Sequence, residues 1–194
     1  MKIIYFHGFA SSGASGTVQL LREALPEVEV IAPDIPVDPV DALPYLQQLC
    51  ADERPDIIIG SSMGGMYAQQ MRGFRKICIN PAFNMSRMSK ALKPGVHKFL
   101  NGRKDSAKEF RITSQTIQHF FLMERKQFDG IDDWEKSNTW GLFGNLFFFF
   151  FFTTYDLFKK HYPQATRFDG GHRLNDKALK TAVLPLLKEL YPEI

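Results

Sequence analysis

The chain predicts an α/β fold: a mainly parallel sheet with helices on both faces and a helical insertion at about residues 83–136. Three observations carry this. Short apolar runs alternate with stretches of helical spacing. The runs are apolar throughout rather than alternating, as strands buried on both faces are. The rhythm then breaks after the fourth run and resumes about 55 residues later.

Ile3 to Phe6 is the first run and predicts a buried strand. Ser15 to Leu25 follows with Val18, Leu21 and Leu25 at helical spacing, and Pro26 ends it. Val28 to Ala32 predicts the second strand, and Val40 to Cys50 the second helix. Asp56 to Gly60 is the third strand, followed by a helical stretch from Met63 to Arg72. Lys76 to Asn80 is the fourth strand. From Phe83 to Lys136 no strand is evident, and Ser114 to Phe128 is amphipathic. A strand at Thr139–Gly144, a helix at Tyr155–His161 and a strand at Ala165–Phe168 restore the pattern. A last helix is expected from Asp176 to Leu190. There is no internal repeat or linker, so residues 1–194 read as one domain with a cap-like insertion at 83–136.

The composition fits this. A chain of 194 residues, 44% hydrophobic and 23% charged, can bury a real core. The net charge of +3 is mild and its Lys and Arg are dispersed, which argues against nucleic acid as a partner. Cys50 and Cys78 lie among apolar neighbours without metal or disulfide spacing, so buried free thiols are expected. No metal or cofactor motif stands out. The start of the chain lacks a signal-type apolar segment. The longest apolar run, Leu146–Phe152, is far shorter than the ~20 residues that span a bilayer. A cytoplasmic location is the expectation.

The strongest chemical signal is Gly60-Ser61-Ser62-Met63-Gly64-Gly65, placed between a strand and a helix. A G-x-S-x-G turn there exposes its central serine, Ser62, beside the free N–H groups of a helix start. His7-Gly8-Phe9 ends the first strand, and the Phe9 and Met63 N–H groups could together hold an oxyanion. A serine hydroxyl needs a base. His172, in Gly170-Gly171-His172-Arg173 after the last strand, is the candidate. His7 reads as a loop-orienting residue, and His97, His119 and His161 as surface or structural ones.

With these pieces in place the chain resembles an α/β hydrolase, and is most similar to the small bacterial YqiA-like esterases. The matching segments are HGFASS at 7–12, GSSMGG at 60–65, INPA at 79–82 and GGHR at 170–173. The resemblance implies an α/β-hydrolase-type sheet and a serine hydrolase acting on small acyl esters or thioesters, with no cofactor. It carries Ser62 over as nucleophile, His172 as base, and Phe9 and Met63 as oxyanion donors. The alternative is a catalytically impaired protein of this fold that binds an apolar ligand or partner.

The resemblance fails at the acid. Its position, three residues beyond Gly144, falls near Phe147, the first of six consecutive phenylalanines to Phe152. The acid is therefore unassigned. Asp129, Asp132, Asp133 or Asp156 could replace it, whereas Asp169, close in sequence, is expected to point along its own strand. Alternatively the acid is lost, or the tract departs from the native sequence, since a run of Phe codons is prone to slippage.

Overall fold

The computed structural model describes residues 1–145 and 151–194, with the backbone alone for residues 89–92 and 151–153. Six parallel strands form the central sheet. They are β1 (Lys2–Phe6), β2 (Glu29–Ile31), β3 (Ile57–Ser61), β4 (Lys76–Ile79), β7 (Thr139–Gly144) and β8 (Ala165–Phe168). Their order across the sheet is β2-β1-β3-β4-β7-β8.

Successive residues of a strand face opposite sides, so apolar runs supply two cores at once. Ile4 and Phe6 of β1 point to one side, where α2 (Pro39–Glu53), α3 (Met63–Gln70) and α7 (Phe151–His161) pack. Ile3 and Tyr5 point to the other, against α1 (Gly16–Ala24) and the C-terminal helices. Cys50 and Cys78 are buried free thiols, as expected.

The chain leaves β1 toward β2 on one side and later returns to β3 on the other. Loops at the carboxyl ends of β1 and β3 therefore diverge and open a crevice, where parallel sheets hold ligands. His7-Gly8-Phe9 and Ser62 sit at those two ends.

The insertion between β4 and β7 is richer than expected. It carries α4 (Met85–Leu92), α5 (Ser114–Glu124) and α6 (Asp133–Ser137), and also an antiparallel hairpin of β5 (Gly95–Lys98) and β6 (Glu109–Ile112). These strands are four residues each, charged, and half exposed. Such segments carry little strand signal of their own, and only their pairing makes them strands.

The C-terminal segment is helical but not uniform. It divides into α8 (Asp176–Ala178), a π-helical turn (Leu179–Val183) and α9 (Leu184–Leu190). Pro185 has no N–H to donate and its ring crowds the preceding turn, which is accommodated by widening. No helix among the described residues is long and apolar enough to cross a membrane.

Candidate active site

Ser62 occupies the turn between β3 and α3 with φ 55° and ψ −119°. This is a rare conformation for a residue with a Cβ, and such strain persists only where the surroundings over-determine it. Here they do. Ser62 N–H donates to Ile79 O at 2.9 Å, and Ser62 O accepts from Met66 N–H at 3.1 Å and Ala82 N–H at 3.0 Å. Glycines give the turn its room. A Cβ on Gly60 would lie 2.2 Å from Gly64 O, and one on Gly64 would lie 2.0 Å from Phe6 O. The turn therefore presses α3 directly onto the backbone of β1 and β3.

His172 approaches from the loop after β8, its Nε2 3.0 Å from Ser62 Oγ. In the tautomer with a proton on Nδ1, Nε2 accepts the serine hydroxyl. Burial first, and then the charge of Arg173, hold the pKa of His172 below the usual histidine value. The imidazole is thus neutral, and able to accept a proton, at neutral pH.

Among the described residues, the backbone N–H groups of Phe9 and Met63 have no acceptor. Met63 is the first residue of α3, and its N–H is one of the unmatched donors of a helix start. Both groups remain available to an incoming oxygen. All four predicted site residues thus lie at the carboxyl end of the sheet, and Ser62 and His172 are in hydrogen-bond contact.

Other candidates fall elsewhere. Asp132 caps α6 through the Glu135 N–H at 2.8 Å, Asp133 pairs with Lys136 at 2.9 Å, and Asp169 pairs with Lys177 at 2.6 Å. Asp129 offers its backbone carbonyl to Arg72 at 2.8 Å, and Asp156 is exposed on α7. Phe147, where the acid would stand, lies outside the described residues, as do Phe148 to Phe150. His119 pairs with Asp38 at 2.8 Å, and His161 stacks on Phe128.

His7 is buried and orients the loop. Its Nδ1 bonds Gly8 O at 2.8 Å, and its Nε2 accepts the Ile35 N–H at 3.0 Å. Burial above all pulls its pKa down to about 4. The unfolded chain, near 6.5, binds that proton first. The stability that neutral His7 contributes is full above pH 6.5 and is lost as pH falls toward 4. The loss reaches roughly 3 kcal/mol. Urea midpoints at pH 7 and pH 4.5 measure it, and the drop should shrink in His7→Gln.

Two further residues hold the loops of the site: Asn80, which lies in the INPA segment, and Asp34, which lies in no motif. Asn80, at φ 44°, follows β4. Its Nδ2 donates to Gly171 O at 3.2 Å and His172 O at 3.0 Å, and its Oδ1 accepts the Gly144 N–H at 2.8 Å. It thereby ties the loop that carries His172 to the end of β7. A polar residue closing the run Lys76-Ile77-Cys78-Ile79, and tolerant of positive φ, was the available signal. Asp34 joins the other side of the site. It accepts the Gly13 N–H at 2.8 Å and the Lys104 N–H at 2.6 Å, linking the loop after β1 to the insertion. Leu100 N–H to Ala10 O at 2.7 Å and Asn101 to Ser11 at 3.0 Å extend that seam. The ring of Phe9 packs edge-on against Phe110 of β6.

A cavity of about 1070 Å³ opens onto Ser62 and His172, walled by the loop after β1, the start of α1 and the hairpin of the insertion. Its walls combine apolar side chains such as Leu20, Leu100 and Phe110 with polar ones.

Comparison with known proteins agrees with this architecture. The model of an uncharacterised protein family, UPF0227, matches residues 2–127. The fold is similar to Est1E from Butyrivibrio proteoclasticus, with a TM-score of 0.68 at 12% identity, covering 99% of this chain and 88% of that one. It is also similar to the α/β hydrolase domain-containing protein 10 from mouse, with a TM-score of 0.68 at 15% identity, over 99% and 90%. A lipase-esterase related protein from Clostridium acetobutylicum gives a TM-score of 0.57 at 12% identity, over 100% and 94%.

Proposed function

The chain belongs to the uncharacterised protein family UPF0227 and has an α/β-hydrolase fold, and from that premise we propose that it is a serine hydrolase of small acyl esters or thioesters. The observation that carries the reading is the 3.0 Å approach of His172 Nε2 to Ser62 Oγ, made on a strained turn at a helix start. The names of two similar structures, a lipase-esterase related protein and an α/β hydrolase domain-containing protein, point the same way.

In this mechanism His172 takes the hydroxyl proton as Ser62 Oγ attacks the acyl carbon. The carbonyl oxygen becomes an oxyanion, held by the Phe9 and Met63 N–H groups. His172 then gives the proton to the leaving alcohol or thiol, and the ester bond breaks. Water, deprotonated by His172, attacks the acyl-enzyme and releases the acid and free Ser62. The insertion acts as a cap that shapes the acyl pocket.

A fluorophosphonate probe tests the chemistry directly. It should add to Ser62 in the native protein, as read by peptide mass, and to nothing at that site in Ser62→Ala. Labelling of His172→Gln should slow by at least about a hundredfold, since general-base assistance typically supplies that much or more. A folded protein that takes no label at Ser62 contradicts the proposal.

A further inference from the structure

The wall of the cavity facing Ser62 has a one-sided chemistry. The start of α1 opens onto it through Ser15, Gly16 and Thr17. Helix starts attract anions, because their first N–H groups lack partners and carry partial positive charge. The first turn of α1 contains no acidic residue to neutralise this. Among the described residues, the N–H groups of Gly16 and Thr17 have no acceptor.

Two further observations point to a ligand there. Ser15 is only 7% exposed and lines the cavity, yet its hydroxyl has no hydrogen-bond partner among the described residues. A buried hydroxyl left unmatched is uncommon and calls for an explanation. Lys98, from the insertion, and Arg173, beside the base, line the same cavity. No described carboxylate pairs with either. None of the described residues lining the cavity is Asp or Glu, and the sequence at 89–92 and 146–153 contains neither.

We propose that the substrate carries an anionic group, a carboxylate or a phosphate, bound at the start of α1 between Lys98 and Arg173 while its ester lies at Ser62. This assigns a substrate class and rests on the serine-hydrolase reading above. The anion would accept the Gly16 and Thr17 N–H groups and, after rotation about the Ser15 Cα–Cβ bond brings it to the cavity surface, the Ser15 hydroxyl. The apolar walls would take the chain between anion and ester.

Matched esters test it. The mono-4-nitrophenyl ester of glutaric acid places a carboxylate on the acyl side, with 4-nitrophenyl butyrate as its neutral reference. The butyrate ester of 2-hydroxyethyl phosphate places a phosphate on the alcohol side, with ethyl butyrate as reference. One anionic ester should exceed its reference in kcat/KM by at least about tenfold, the scale of one hydrogen bond to a charged group. Which ester does so identifies the side that bears the charge.

Two variants probe the site. Lys98→Gln should reduce the preference by about tenfold at low salt. Gly16→Pro removes one N–H at a position where helices favour proline. A Cβ there meets nothing within 4 Å, and Ser15, at φ −66° and ψ 155°, already has the conformation proline requires before it. That variant should keep wild-type circular dichroism and lose several-fold of the preference.

Calorimetry with glutarate and with ethyl phosphate gives a readout independent of turnover. Saturable binding that weakens in both variants supports the site even if no ester is hydrolysed. Hydrolysis of neutral esters, with no preference for either anionic ester and no anion binding, overturns the inference and leaves the hydrolase reading standing.

Discussion

On the proposed mechanism, His172→Ala should lower kcat on acyl esters by a factor on the order of 10⁴ to 10⁶, the scale of removing the base from a serine-histidine pair. This is a barrier increase of roughly 5 to 8 kcal/mol. The geometry explains the size. Ser62 Oγ has its proton acceptor at 3.0 Å, fixed by a loop whose carbonyls at Gly171 and His172 are anchored on Asn80. Without the imidazole the hydroxyl would attack at its ordinary high pKa. The pH profile gives the second signature. In the proposed mechanism His172 works deprotonated, and burial holds its folded pKa below 6.5. Activity should therefore fall as pH drops through a value below 6.5, and the acid limb of kcat/KM should lie there. Steady-state kinetics between pH 4.5 and 8 measure both. A variant within tenfold of the wild type would remove His172 from the mechanism.

Gly64→Ala should destabilise the fold by more than about 4 kcal/mol, enough to leave little native protein. The new Cβ would stand 2.0 Å from Phe6 O, 2.4 Å from Phe6 C and 2.6 Å from His7 O. All three are backbone atoms of β1 and the residue after it. No side-chain rotation relieves the clash, so α3 would have to lift from the sheet and carry the Ser62 turn with it. Gly16→Ala is the control, because its Cβ meets nothing within 4 Å. It should change stability by no more than about 1 kcal/mol. Urea unfolding of the two variants separates the effects, and equal midpoints would refute the packing argument.

Residues whose role is set by near neighbours were the legible ones. Ile57 to Ile59, followed by Gly60-Ser61-Ser62-Met63-Gly64, announce strand, turn and helix within eight positions. Ser62 could be read because its strained turn needs glycines close by in sequence. Asn80 and Asp34 were not legible in this way. Their partners stand 91 and 92 residues away in one case, 21 and 70 in the other. The INPA segment marks Asn80 as a place of resemblance but does not announce its partners, and a lone aspartate at 34 announces nothing. The hairpin of β5 and β6 was hidden for a related reason. His97 pairs with Phe110 across a loop of charged residues, and neither strand has an apolar run to mark it. His172 lay between these cases, since Gly170-Gly171 marked its loop while its contact with Ser62 spans 110 residues.

The seam that Asp34, Leu100 and Asn101 make between the insertion and the residues after β1 has a consequence for how proteins of this fold diverge. On the proposed reading, the residues that would choose the substrate and those that hold Phe9 in place belong to one mechanical unit. A graft of another relative's insertion would bring a new pocket and at the same time disturb the loop that carries Phe9. Selectivity in this scaffold should therefore change by small steps within the insertion, with the Asn101 side chain and the backbone course at Leu100 and Lys104 retained as its anchors.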